Sequence, residues 1–385
     1  METEILDKHL DNRPTQLMEA KEKGVKVVGY FPGNYVPEEL IYASGGIPLC
    51  LVHGGNLQSA DAALAVVPQV ICPFARAQIG ERLLQRNPYY RMIDMLIAPV
   101  TCQHLRKVAE IWEYRNELEI FKLGIPQQYG NDFEVEYYKN RLTALKDRLQ
   151  ALTKTEITDE KLSDAIQLYN RMRELLRKIN LTRQTDPPVL KALDFIKLNH
   201  ASYYADPEFM VEVLESVYRE IKDKQQAAKA KTNDPRILLL GPNIGYGDYT
   251  VLEMVQSAGG EIVIEEICEG VRYYWNDIND QGDLFQALTK GYLIDRLPCA
   301  FMRNSAKKRL DFTMKLIKDF DVSGVIWYEL LCCETYDSEA YYFAEKLGEL
   351  NIPFLILESD YSTAVTGQLK TRITAFIEIL KGVMD

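Results

Sequence analysis

Met95-Leu96-Ile97-Ala98-Pro99-Val100-Thr101-Cys102 is an apolar run that ends in a threonine and a thiol. An unbroken apolar run, without polar alternation, reads as a strand buried on both faces, and such strands belong to parallel sheets covered by helices. In a doubly wound sheet, sites form outside the carboxyl ends of the strands. Cys102 therefore stands where such a fold places chemistry.

The same arrangement returns in the second half. The run Val322 to Tyr328 leads into Leu330-Leu331-Cys332-Cys333, as the earlier run leads into Cys102. Cys72, Phe74 and Arg76 alternate as Cys299, Phe301 and Arg303 do, and the separations are close, 30 residues from Cys72 to Cys102 and 33 from Cys299 to Cys332. Ala43-Ser44-Gly45-Gly46 precedes the strand ending near Cys50, and Ser257-Ala258-Gly259-Gly260 precedes the one ending at Cys268. Several matches in one order indicate an internal duplication. The expected fold is α/β: two similar doubly wound, mainly parallel-sheet domains, each delivering about three thiols from strand ends.

A chain of 385 residues with 47% apolar content can build two or three domains with a sizeable core. No apolar run reaches the ~18–20 residues of a membrane span. The acidic opening Met1-Glu2-Thr3-Glu4-Ile5 lacks a secretory segment, so a cytoplasmic protein is expected. A formal charge of −11 argues against general nucleic-acid binding. Seven cysteines in a reducing compartment are more readily buried, catalytic or metal-bound than paired as disulfides.

Three parts are expected in order. Residues 1–133 form an N-terminal α/β domain, with strands at Val25–Tyr30, Ile47–Val52, Leu96–Val100 and around Leu123–Pro126, and with Pro68–Ile71 leading into Cys72. Pro37 opens a helix whose first turn holds Glu38 and Glu39, where the helix dipole favours negative charge; a solvated first turn explains them equally well. Residues 134–232 form a helical connection. Val135, Tyr138, Leu142, Leu145, Leu149 and Leu152 recur at helical spacing, Thr158 is placed to cap a second helix, Pro187-Pro188 breaks the pattern, and helix resumes to about Lys231. Residues 233–385 form the C-terminal α/β domain, from Arg236–Leu240 to the last strand Phe354–Leu357. Its first loop holds Gly241, Gly245 and Gly247 but fits neither G-x-G-x-x-G nor a Walker A motif, so ATP is not expected to bind there.

Four histidines, without H-E-x-x-H or zinc spacing, argue against a zinc hydrolase, and no G-x-S-x-G elbow is present. A Cys102–His104 nucleophile is the weakest of the candidates. The bland reading of any one cysteine is a small core residue, and it suits Cys268 best, at the end of an apolar strand. It suits Cys72, Cys102 and Cys299 poorly, and adjacent Cys332-Cys333 worst. Soft thiolates with few histidines favour an iron–sulfur centre. Without C-x-x-C, its ligands must converge from distant parts of the chain.

A resemblance spans nearly the whole chain. It rests on Tyr35-Val36-Pro37-Glu38-Glu39-Leu40-Ile41-Tyr42-Ala43, the Cys72 segment, Pro99-Val100-Thr101-Cys102, Cys268-Glu269-Gly270-Val271-Arg272-Tyr273, Cys333-Glu334, and Glu358-Ser359-Asp360-Tyr361 with Gly367-Gln368-Leu369-Lys370-Thr371-Arg372. In these the chain resembles subunits of the 2-hydroxyacyl-CoA dehydratase and benzoyl-CoA reductase family, including the double-cubane-cluster proteins. The resemblance implies an oxygen-sensitive iron–sulfur enzyme subunit working in a two-chain core, as a homodimer or with a paralogous second subunit. A separate ATP-hydrolysing iron–sulfur activator supplies one electron at very low potential. In the dehydratases that electron makes a ketyl radical of the acyl-CoA substrate and hydroxide leaves; in the reductases it enters an aromatic ring or a small molecule.

By the same resemblance, Cys72, Cys102 and Cys333 match the thiolates of a single 4Fe-4S cubane, and Glu39 matches an acidic position near the substrate. Cys50, Cys299 and Cys332 exceed that need and resemble the double-cubane branch, in which six cysteines hold an 8Fe-9S cluster. Cys268 is then the spare core thiol, and Cys332 and Cys333 serve different cubanes from an extended segment. The alternatives are a single-cubane subunit acting on an acyl-CoA, a non-catalytic accessory or scaffold subunit, and a thiol-based redox or metal-storage protein.

Overall fold

The computed structural model describes residues 3–115, 118–226 and 231–384. Among them, eight strands form two four-stranded sheets. The first holds β1 (Val27–Tyr30), β2 (Ile47–Cys50), β3 (Met95–Val100) and β4 (Glu119–Gly124) in the order β2-β1-β3-β4. The second holds β5 (Arg236–Leu240), β6 (Glu261–Glu266), β7 (Gly324–Leu330) and β8 (Phe354–Ser359) in the order β6-β5-β7-β8. All pairings are parallel. The two orders are the same order twice, as the duplicated motifs require, and the two doubly wound α/β domains expected from the sequence are present.

The apolar runs explain the central strands. Every residue of β5 and β7 is buried, as are the first five of β3, because helices cover both faces. The repeated glycine pairs make one turn twice. Gly45 (φ +77°) and Gly259 (φ +80°) take the left-handed conformation that glycine adopts freely, and Gly46 and Gly260 then donate back into the preceding helix at 3.1 and 3.0 Å.

Helices fill the segment between the sheets: Asp132–Thr153, Asp159–Leu181, Ala192–Ala201 and Pro207–Gln226. Tyr138, Leu142, Leu145 and Leu149 form the buried stripe, and Thr158 caps the second helix by accepting from the Lys161 N–H at 3.3 Å. The helix expected to run to about Lys231 is described to Gln226; residues 227–230 lie outside the described residues. This segment ties both halves with buried ion pairs, Arg173 to Glu39 at 2.9 Å and Arg183 to Glu265 at 2.5 Å.

The carboxyl ends of the two sheets face each other, and their loops cross there. His53 bridges Tyr246, the Gly54 N–H donates to the Tyr246 carbonyl at 3.0 Å, and the Tyr246 N–H donates to Val52 at 2.7 Å. A Cβ on Gly245 would lie 2.7 Å from Gly54 Cα, and one on Gly55 would lie 2.6 Å from Asp248 Cα. Glycine is required at this crossing, which is what the Gly241–Gly247 loop is for in the fold.

Two local expectations give way. Cys72 does not stand at a strand end: Pro68–Ile71, which leads into it, is a turn in which the Ile71 N–H closes on the Pro68 carbonyl at 3.2 Å. Strand β4 begins at Glu119, earlier than the Leu123–Pro126 piece, and runs in register with the whole of β3.

Candidate functional site

Three thiols stand at the starts of three helices. Cys72 is the N-cap of the helix Pro73–Leu84, with Pro73 in its first position. Cys102 caps Gln103–Tyr114, its sulfur accepting from the Leu105 N–H at 3.4 Å. Cys333 caps Glu334–Gly348. A helix start presents unpaired N–H groups and positive potential, so three of them suit thiolates and other anionic sulfur. Cys72 and Cys102 come from the first half and Cys333 from the second, and all three line one space of about 80 Å³.

Cys268 and Cys299 line the same space from the other side. Cys268 follows β6 by two residues, and its sulfur accepts from Arg272 Nη1 at 3.3 Å. The Tyr336 hydroxyl, itself bonded by Arg272, lies 3.5 Å from the Cys299 sulfur and 4.0 Å from Cys268. Arg272 is held in turn by Glu266 and by the Gly241 carbonyl at 2.9 Å. This buried cation biases the pair. The neighbouring Cys268 thiol, with Arg272 and Tyr336, draws the first ionisation of the pair down to about 5 at Cys299, while Cys268 is pushed well up.

The helix-start thiols behave oppositely. Burial pushes Cys72 up to about 12 and also raises Cys102 and Cys333, with repulsion from neighbouring thiols adding to each. Only a cationic occupant would let all three ionise together. His104 supports the group: its Nδ1 accepts the Cys72 N–H at 3.2 Å, and burial lowers its pKa, which keeps it neutral.

A second, larger and more polar cavity of about 340 Å³ shares Cys72, Cys102 and Cys333 with the first and continues past Gln103, Gln127 and Glu339. The three thiols thus line both a small apolar space and a larger, more polar one. Among the described residues, no three His, Cys, Asp or Glu side chains converge tightly enough for a single metal ion. A ring of thiols around a space fits a polynuclear iron–sulfur group, whose several irons each reach one sulfur.

The remaining sequence candidates lie elsewhere. Cys50 ends β2, is 1% exposed and is off this space; burial raises it strongly, with Glu38 and Glu269 adding. Cys332 is also off it, and its φ of +63° is left-handed, so Cys332-Cys333 is not the extended pair expected. Cys268, expected to be the spare core thiol, faces the space instead, because Arg272 and Tyr336 draw its sulfur toward Cys299. Glu39 is fully buried, accepting from Arg173 at 2.9 Å and from the Tyr292 hydroxyl at 2.7 Å, and does not line the thiol cavity. Its neighbour Glu38 accepts from Tyr30 and Tyr273, and burial raises it to about 7. The solvated first turn is therefore replaced by two carboxyls sealed at the meeting of all three parts.

Sequence reasoning passed over Arg272 and Tyr336, and weighed His104 only as a partner of Cys102, not as the acceptor of the Cys72 N–H. Arg272 was visible inside the Cys268–Tyr273 motif, but its aim at the sulfur depends on the fold. Tyr336 carried no signal at all.

The family described as 2-hydroxyglutaryl-CoA dehydratase, D-component, matches residues 34–380. A protein of Escherichia coli K12 named as a dehydratase subunit, YjiM, is 27% identical over 384 residues, covering 98% of each chain. A benzoyl-CoA reductase subunit of Thauera aromatica is 22% identical, covering 98% of this chain and 97% of its own. The beta subunit of (R)-2-hydroxyglutaryl-CoA dehydratase from Acidaminococcus fermentans is 24% identical, covering 95% of each. No helix among the described residues is long and apolar enough to cross a membrane. With five thiols drawn from both halves to one cavity, and a match that runs almost from end to end, the chain belongs to the 2-hydroxyglutaryl-CoA dehydratase D-component family.

Proposed function

We propose that this chain is the iron–sulfur subunit of a two-chain enzyme of the 2-hydroxyacyl-CoA dehydratase and benzoyl-CoA reductase type, fed with low-potential electrons by a separate ATP-hydrolysing activator. The observation that carries the reading is the convergence of Cys72, Cys102 and Cys333, each at a helix start, on one buried space. Cys268 and Cys299 enlarge the donor set beyond one cubane, which favours a larger cluster of the double-cubane kind and reduction of a small molecule. The bound group would supply one-electron chemistry. The chain's own residues would hold it: helix N–H groups and Arg272 offset anionic sulfur, His104 fixes the Cys72 backbone, and Phe74 and Leu105 give the smaller space its apolar lining.

A second reading is a single cubane on Cys72, Cys102 and Cys333 acting on an acyl-CoA. It is favoured by the larger cavity that shares those thiols, where Gln103, Gln127 and Glu339 could orient a carbonyl. In both readings Glu39 orients Arg173 and Tyr292 and does not touch the reacting atoms.

Iron and sulfide analysis after anaerobic purification tests the proposal. Wild type should hold iron, Cys102→Ser should lose most of it, and Cys299→Ser should lose part only if the cluster exceeds one cubane. Wild type that binds no iron after reconstitution with ferrous iron and sulfide would overturn both readings.

A further inference from the structure

His104 lines both thiol-bearing spaces, and its two ring nitrogens are differently engaged. Nδ1 accepts the Cys72 N–H at 3.2 Å, so it carries no proton. A neutral imidazole holds one proton, and here it sits on Nε2. Nε2 faces Glu334, whose Oε1 stands 4.0 Å away, beyond hydrogen-bond reach. Among the described residues this N–H has no acceptor, although the side chain is only 13% exposed. The Cys72 bond also holds the ring in place. Gln103 and Gln127 line the larger cavity too, but both are exposed. A donor fixed in advance serves a reacting oxygen better than one that must first be ordered.

We propose that His104 Nε2–H is the donor that seats a neutral carbonyl oxygen of the substrate in the larger cavity, beside Cys72, Cys102 and Cys333, and that carboxylates are disfavoured there. This rests on the proposed function. The charge around the cavity sets the preference. Glu334 and Glu339 line it, and among the described residues no lysine or arginine does. Glu339 is paired with Arg309, whereas Glu334 faces a ring that carries no charge. An anionic ligand end would therefore meet an uncompensated carboxylate, and the thiolates of a loaded centre as well. A neutral carbonyl meets neither penalty. Negative charge builds on its oxygen only as the electron arrives, where the N–H is already placed.

The test uses His104→Asn and His104→Gln. The Asn oxygen takes the place of Nδ1 and keeps the Cys72 bond without the cavity donor. The Gln amide nitrogen takes the place of Nε2 and keeps the donor. The probes are acetate and S-acetyl-N-acetylcysteamine, a neutral thioester without the phosphates of a coenzyme. Nitrogen-15 NMR of the metal-free protein at about pH 7 should show His104 neutral with its proton on Nε2; its signal, one of four histidines, is the one lost in either variant. After anaerobic reconstitution with ferrous iron and sulfide, wild type should bind the thioester about tenfold more tightly than acetate. His104→Asn should keep its iron and bind the thioester about 3–10-fold more weakly, the worth of one neutral hydrogen bond. His104→Gln should bind it as wild type does.

A proton on Nδ1, or acetate bound as tightly as the thioester, overturns the inference. So does unchanged thioester binding in His104→Asn at full iron. Joint loss of iron and binding in His104→Asn, with His104→Gln no better, overturns it in favour of a purely structural histidine. Wild type that takes up no iron overturns the proposed function. Thioester binding by metal-free wild type, weakened in His104→Asn, would then still uphold the donor, and its absence would overturn that too.

Discussion

Four residues beyond Cys268 stands Arg272; four residues beyond Cys50 stands Gly54. Both thiols lie at or just beyond the end of the same edge strand in two sheets of identical order. In the second half, Arg272 folds back on the thiol, bonds its sulfur, and turns it with Cys299 into a readily ionised pair on the cavity. Among the described residues of the first half, no such cation acts on Cys50. The Gly54 backbone instead admits Gly245 and the Tyr361 hydroxyl from the other half, and Cys50 is sealed behind them near Tyr30 and Glu38. One position has been used to polarise a thiol, the other to join two domains. A duplicated fold therefore does not supply equivalent ligands, and counting three thiols per half overstates the symmetry.

The largest effect should come from removing the cation. Arg272 is buried and bonds Glu266, Cys268, Tyr336 and Gly241. Arg272→Met leaves buried Glu266 with Arg309 alone, at 3.3 Å. Breaking a buried ion pair on one side costs about 3–5 kcal/mol, and the remaining Arg309 should hold the loss toward the lower figure. Urea unfolding measures it, with Cys50→Ala as the first-half counterpart. Equal losses in the two variants would break the comparison. Thiol alkylation of the apo protein at pH 6–7 should also slow in Arg272→Met, since the Cys299 thiolate loses its main positive neighbour.

A smaller effect tests whether the two sides are joined electrostatically. Glu269 follows Cys268 in sequence yet adds to the shift of Cys50. Burial raises its carboxyl to about 8; one oxygen accepts from the Ile244 N–H at 3.2 Å and the other has no partner. The folded state thus holds this proton to higher pH than the unfolded chain does. Its contribution is complete below about pH 4.5 and is lost as pH rises through about 8. Glu38 and Asp248, each raised to about 7 by burial, act in the same sense. Stability should fall by roughly 1–3 kcal/mol for Glu269 across this window, a full shift being an upper bound. In Glu269→Gln the fall between pH 5 and 8 should be correspondingly smaller. Identical slopes in the two proteins would remove Glu269 from the account.

What could be read in the sequence follows from range. Apolar runs such as Met95–Val100 and the paired glycine turns act locally, so the strands, the duplication and the helical segment were legible. Cys102 and Cys333 were legible as strand-end thiols for the same reason. The partition of the other cysteines was not, because it depends on side chains far away in sequence: Tyr336 for Cys299, 37 residues on, and the Gly54–Gly245 crossing for Cys50. Glu38 and Glu39 looked like a solvated first turn because nothing local announces Arg173 or Tyr292.

The smallest effect concerns Cys332, and here the two halves differ by one residue. After β3 the chain passes through Thr101 to the helix-capping Cys102; after β7 it passes through Leu331 and Cys332 to the helix-capping Cys333. The additional residue is absorbed at Cys332, whose φ of +63° lets the Cys333 N–H turn back onto the Leu330 carbonyl at 2.9 Å. Cys332 is thus a spacer that brings Cys333 to the position Cys102 holds without one. Glycine would relieve the left-handed strain but also gain unfolded-state freedom, and these offset to within about 0.5–1 kcal/mol. Cys332→Gly should therefore leave both urea stability and anaerobic iron content close to wild type, whereas Cys333→Ser should lose most of the iron. A drop of about half in the iron of Cys332→Gly would make Cys332 a ligand, restore six thiolates to the larger cluster, and put the two halves back on an equal footing.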